Sequence, residues 1–148
     1  MSKLEAPMTR WFWQQVGGTL VEEFCAVRRT PSCGQRLLDG VIIKGGECRI
    51  ARQLEVSVEG QDVVVVQAKA QRLGMYLMGQ ALFSAQLMTA FRPRSIESVA
   101  LVAQDDSVLR PLFERYEGMR VVVCPPEVSG LVAKTQGLIS RAEQLYGL

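Results

Sequence analysis

Two hydrophobic rhythms alternate along the chain. "RLLDGVII" (Arg36–Ile43), "VVVVQAK" (Val63–Lys69), "SVALVA" (Ser98–Ala103) and "MRVVVC" (Met119–Cys124) are short apolar runs rich in branched residues. Such runs predict strands, and unbroken ones such as "VVVV" and "VALV" suit strands covered on both faces. "FCAVRR" (Phe24–Arg29) reads as a further short strand before the turn "TPSCGQ". Helical periods separate the strands. Thr9 is placed to cap a helix from Arg10 toward Phe24, weakened by Gly17-Gly18 at ~1 kcal/mol per glycine. A long helix, apolar on most sides, is predicted from Met75 to Phe91 and ends at "RPRS". A shorter one spans Ser107 to Tyr116, and a last one runs from Gly130 to Tyr146 with Leu131, Leu138, Ile139, Ala142 and Leu145 on one side. "LEVSVEG" alternates like a half-buried strand. The order predicts one α/β domain over residues 1–148, a mixed sheet between helices.

Four polar positions break this pattern. Alternate strand residues share a face, so Gln67 and Lys69 point the same way behind Val63 and Val65. Asp39 shares a face with Leu37, Val41 and Ile43, where a bare carboxylate is expensive to bury. On the first predicted helix, Phe12, Val16, Leu20 and Glu23 fall on one face, while Glu22 points sideways. If these residues converge, two carboxylates and an amide oxygen can hold a divalent cation, with a lysine facing a phosphate or a water. Taken alone, the Gln-Ala-Lys segment fits a solvated strand end equally well.

Composition narrows the chemistry. The chain has 148 residues, 48% apolar and 22% charged, with a net charge of +2 and no histidine. The missing histidine removes Ser-His-Asp and Cys-His catalysis and His-ligated zinc. The four cysteines have no Cys-x-x-Cys spacing, which argues against zinc ribbons and thioredoxin-like sites and fits reduced thiols in the cytoplasm. A bound metal would be held by oxygens, favouring Mg²⁺ or Mn²⁺. No apolar run reaches membrane-spanning length, and "MSKLEAPMTR" lacks the apolar core of a signal peptide.

An acidic residue on a first helix, an aspartate on one strand, a Gln-x-Lys on the next and a helix after it resemble the PD-(D/E)XK nuclease superfamily. Asp39 matches the motif aspartate, Gln67 its second acidic position and Lys69 its lysine. Glu23, or Glu22, matches the helix glutamate, and Gln80 the glutamine of RecB-like members. Leu38 stands where the motif has proline, and Ser84 where the RecB-like pattern has tyrosine; an Mrr-like branch carries its own Q-x-K. The resemblance implies a restriction-endonuclease-like core of order αβββαβ with further α/β elements. It also implies Mg²⁺- or Mn²⁺-dependent hydrolysis of DNA leaving a 5′-phosphate. Asp39, Gln67, the Ala68 carbonyl and Glu23 would serve the metal, Lys69 the scissile phosphate or water, and Gln80 the substrate. The Gln67 exchange keeps open a catalytically inactive nuclease-fold module that binds DNA or protein. An unrelated α/β domain, and a homo-oligomer, also stay open.

Overall fold

The central strand β4, Asp62–Arg72, is buried on both sides. Val64, Val66 and Ala68 enter one core with Met8 and Phe12, whereas Val63 and Val65 enter the other with Phe24 and Met88. The two-sided burial expected from four consecutive valines is thus realised. In the computed structural model, which describes residues 2–130 together with 141, 144 and 145, the chain forms a single α/β domain around a six-stranded mixed sheet.

The strand order is β3-β1-β2-β4-β5-β6. After α1 (Glu5–Val16), β1 (Thr19–Val27) pairs antiparallel with β2 (Arg36–Ile43), which pairs antiparallel with β4. The short β3 (Arg49–Ile50) lies parallel to β1 at one edge. Helix α2 (Met75–Met88) then crosses to β5 (Ser95–Gln104), parallel to β4, and α3 (Leu109–Glu114) crosses to β6 (Met119–Val123), parallel to β5. A four-residue α4 (Pro126–Ser129) packs against α1. Met8 and Phe12 of α1 cover one side of the sheet. Leu77 and Ala81 of α2 and Phe113 of α3 cover the other, against Ala100, Val102 and Val121.

The largest departure from the sequence reading concerns the first helix. It ends at Val16, not near Phe24, and Thr9 is an internal, fully buried residue whose hydroxyl bonds back to the Glu5 carbonyl, not an N-cap. Gly17 and Gly18 both have φ of +78°, which ends the helix and turns the chain into β1. Glu22 and Glu23 are therefore strand residues. The strand expected over Phe24–Arg29 is the second half of β1. "LEVSVEG" forms no strand: Gln53–Glu55 is a 3-10 turn, and Val58 is buried as a loop residue. The C-terminal helix expected from Gly130 to Tyr146 falls almost entirely outside the described residues.

A side chain at Gly18 has nowhere to go. A Cβ there would sit 2.2 Å from the Ile43 carbonyl oxygen, at a φ that side-chain-bearing residues rarely adopt. Gly18→Ala is expected to destabilise the fold by roughly 3 kcal/mol, measurable as a lower urea midpoint at unchanged m-value.

Candidate functional site

The β2–β4 ladder runs from Ile43↔Val63 to Gly40↔Val66 and stops there. One position further, Asp39 lies opposite Gln67. Its Oδ2 accepts a hydrogen bond of 2.8 Å from the Ala68 amide, in place of a backbone partner. The N–H and C=O of one residue in an extended strand point to the same side, so the Ala68 carbonyl is directed to the same open edge.

The β1–β2 ladder breaks at the same level. Glu22↔Gly40 and Phe24↔Leu38 are paired, and Glu23 and Asp39 are the residues skipped between them. Glu23 has a φ of +48°, one of two left-handed non-glycine residues among the described residues. That conformation costs of order 1 kcal/mol and concentrates where function demands it. The skipped residue reverses the strand's facing pattern. Val21 and Phe24 both enter the core on the α2 side, as do Val41 and Leu38. Glu23, Asp39 and Gln67 stand at one level of three neighbouring strands. Gln67 faces Ser84 of α2, whereas Asp39 has Glu5 of α1 among the charges acting on it, so the face expected to be shared by Asp39, Leu37, Val41 and Ile43 is broken at Gly40. The acid expected on a helix stands on β1, and Asp39 reaches the Ala68 amide while Gln67 turns to α2. Glu22 has a different role: it faces α1 and forms an ion pair with Arg10 at 2.8 Å.

Gln67 is buried, and its Nε2 donates to the Ser84 Oγ of α2 at 2.8 Å. The serine that stands in for the RecB-like tyrosine thus anchors the glutamine from the crossover helix. Lys69, half-buried, lies two residues along the same side of β4; it makes no ion pair with the described residues. Gln80 is exposed on α2 and, with Gln67 and Ser84, lines a groove of about 1120 Å³ between α2 and the start of β2. Asp39 and Lys69 are not in its lining.

Burial raises the Asp39 pKa above the ordinary carboxylate value, and Glu5 and Glu23 add to the rise; the Ala68 amide opposes it. A desolvated carboxylate beside other acids is the electrostatic setting that a cation relieves. The Asp39 carboxylate, the Gln67 amide oxygen and the Ala68 carbonyl are hard oxygens of the kind that Mg²⁺ or Mn²⁺ takes. Only one of these three carries a charge, and no group of three or more His, Cys, Asp or Glu is assembled among the described residues. The chain matches no protein-family model, and comparison with curated proteins and with solved structures gives no match.

Sequence reasoning missed the exposure of the groove's rim. Tyr76 is 78% and Phe83 67% exposed, with Met75 and Leu37 also open to solvent. The available signal was that the α2 segment is apolar on more sides than one packed face requires.

The raised Asp39 pKa has a consequence for metal-free protein. The folded state holds the proton to higher pH than the unfolded state, so stability declines as pH rises through the elevated pKa. Asp39→Asn retains an acceptor for Ala68 and removes the buried charge. Its Tm is expected to exceed that of the wild type at neutral pH in EDTA, with the difference vanishing below the ordinary carboxylate range. A lower Tm for the variant at neutral pH would mean that the charge is compensated.

Proposed function

We propose that the chain is a metal-dependent nuclease acting on DNA, built on a restriction-endonuclease-like core. One observation carries the reading: Asp39 of β2 reaches the Ala68 amide of β4, between Gln67 and Lys69, where the ladder between those strands ends. The order of helix, three antiparallel strands, crossover helix and parallel strand agrees with the core implied by the motif resemblance. Asp39, Gln67 and the Ala68 carbonyl would hold Mg²⁺ or Mn²⁺, and Glu23 would lie in its outer shell. The ion, when bound, would polarise the phosphodiester and lower the pKa of the attacking water. Lys69 orients that water or balances charge developing on the phosphoryl oxygens. Asp39 positions the edge of β4 through its hold on Ala68, and Ser84 keeps the Gln67 side chain from rotating away. Water attacks phosphorus in line, the bond from phosphorus to the 3′ oxygen breaks, and that oxygen takes up a proton, leaving a 5′-phosphate and a 3′-hydroxyl.

The second reading, a non-catalytic nucleic-acid-binding member of the same fold, is favoured by the neutral Gln67, which gives the metal one negative charge fewer. The two readings separate on Lys69 and Gln67. Lys69→Met is expected to lower DNA cleavage about 10²–10³-fold, with thermal stability and DNA affinity at fixed salt retained, because affinity is spread over many phosphates. Full activity of that variant removes Lys69 from the chemistry. Gln67→Glu is expected to bind Mn²⁺ more tightly by calorimetry. The glutamate adds charge and still meets Ser84, whose hydroxyl turns to donate. Unchanged or weaker affinity in a folded variant means that Gln67 does not contact a metal.

A further inference from the structure

The groove between α2 and the start of β2 is more apolar and more exposed than the proposed chemistry needs. Tyr76 and Phe83 stand on the outer face of α2 with Gln80 between them, and Leu37 faces them from β2. Open aromatic surface of this kind marks an interaction site. Its charge is one-sided: the lining contains Arg36 and no aspartate or glutamate. Arg28 and Arg29, exposed just beyond β1, lie on the same hairpin. None of these three arginines makes an ion pair with a described residue, whereas Arg10, Arg49, Arg94, Arg110 and Arg120 all do. Unneutralised cations beside open rings fit an anion that also has flat apolar faces.

We propose that this groove binds unpaired nucleotides, so that the substrate is single-stranded DNA or a strand displaced from a duplex. In a duplex the base faces are stacked on one another, and exposed rings have nothing to stack on. An unpaired strand offers those faces and keeps its phosphates for the arginines. The spacing agrees. Tyr76 and Phe83 are seven residues apart, about 10.5 Å of helix rise. One unpaired strand of a few nucleotides can therefore run past both rings. Gln80 lies between them with an amide able to meet a base edge. At the floor, Gln67 is held by Ser84 and borders the groove. The inference rests on the reading of the chain as a domain that acts on DNA, but binding by the groove can be measured without cleavage.

The test uses the full chain in EDTA at fixed salt, with fluorescence anisotropy of labelled oligothymidylates and of a duplex of matched length. The wild type is expected to bind a ten-nucleotide single strand at least about tenfold more tightly than the duplex, with affinity falling sharply for strands too short to run past both rings. Tyr76→Ala and Phe83→Ala are each expected to weaken single-strand binding about tenfold while leaving the duplex value and the thermal melt unchanged. Leu54→Ala, exposed and remote from the groove, serves as the control with unchanged binding. Equal affinity for the two DNA forms, or full single-strand binding by both aromatic variants, overturns the proposal. So does self-association in sedimentation that Tyr76→Ala abolishes, if the DNA forms are not discriminated, since a second copy would then occupy the groove. Aromatic-dependent single-strand binding without cleavage in Mg²⁺ or Mn²⁺ sustains the inference and removes the nuclease reading. Cleavage that requires Lys69 but ignores Tyr76 and Phe83 does the reverse.

Discussion

A single hydrogen bond, from the Ala68 amide to the Asp39 carboxylate, marks where the sheet stops being regular. On one side of it, β2 and β4 are joined by a backbone ladder and sealed between helices. On the other side, the ladder is replaced by a side chain. Strand β4 is held on its opposite edge by β5 through Lys69, so it continues past the point where β2 leaves it. A strand fixed along one edge and free along the other exposes backbone oxygen without losing its own position.

The same level of the sheet carries the backbone strain. Glu23 adopts a left-handed conformation between two regular stretches of β1, and Asp39 is skipped opposite it. Both flanking stretches are held by large buried side chains, Leu20 and Val21 before the break and Phe24 after it. Phe24 is also set edge-on against Phe91, with ring centroids 5.0 Å apart. The irregularity is therefore clamped at both ends by packing, which is how a strained residue persists in a marginally stable fold. Gly40 completes the arrangement. A Cβ there would lie 3.0 Å from Thr9 and 3.1 Å from Leu20, so the backbone beside Asp39 approaches α1 more closely than a larger residue permits.

Helix α2 faces both ways. Its inner side packs Leu77, Ala81 and Ala85 on the sheet, and Ser84 reaches down to Gln67. Its outer side presents Tyr76 and Phe83 to solvent. The element that orients the polar floor of the groove is thus the one that supplies its apolar rim. Because α2 is also the crossover between β4 and β5, its position is set by the central sheet and not by the groove's contents.

The hydrophobic pattern alone determined the strands with the most complete burial. β2 spans Arg36–Ile43 as read from its branched run, and β4, β5 and β6 lie where unbroken apolar segments placed them. Strand parity also sufficed to put Gln67 and Lys69 on one side of β4, because alternation is a local property of extended backbone. What the sequence misplaced was the acid at the site. Glu23 fits the apolar face of a continued helix, and only the left-handed turn at Gly17-Gly18 shows that the helix ends first. Glycine permits that turn without requiring it; the close approach of Gly18 to the Ile43 carbonyl is a contact with a distant strand. The common level of Glu23, Asp39 and Gln67 depends on register between three strands, and register is decided by packing of side chains far apart in the chain. The exposure of Tyr76 and Phe83 was hidden for the same reason, since a helix apolar on most sides does not itself say which side the sheet will cover.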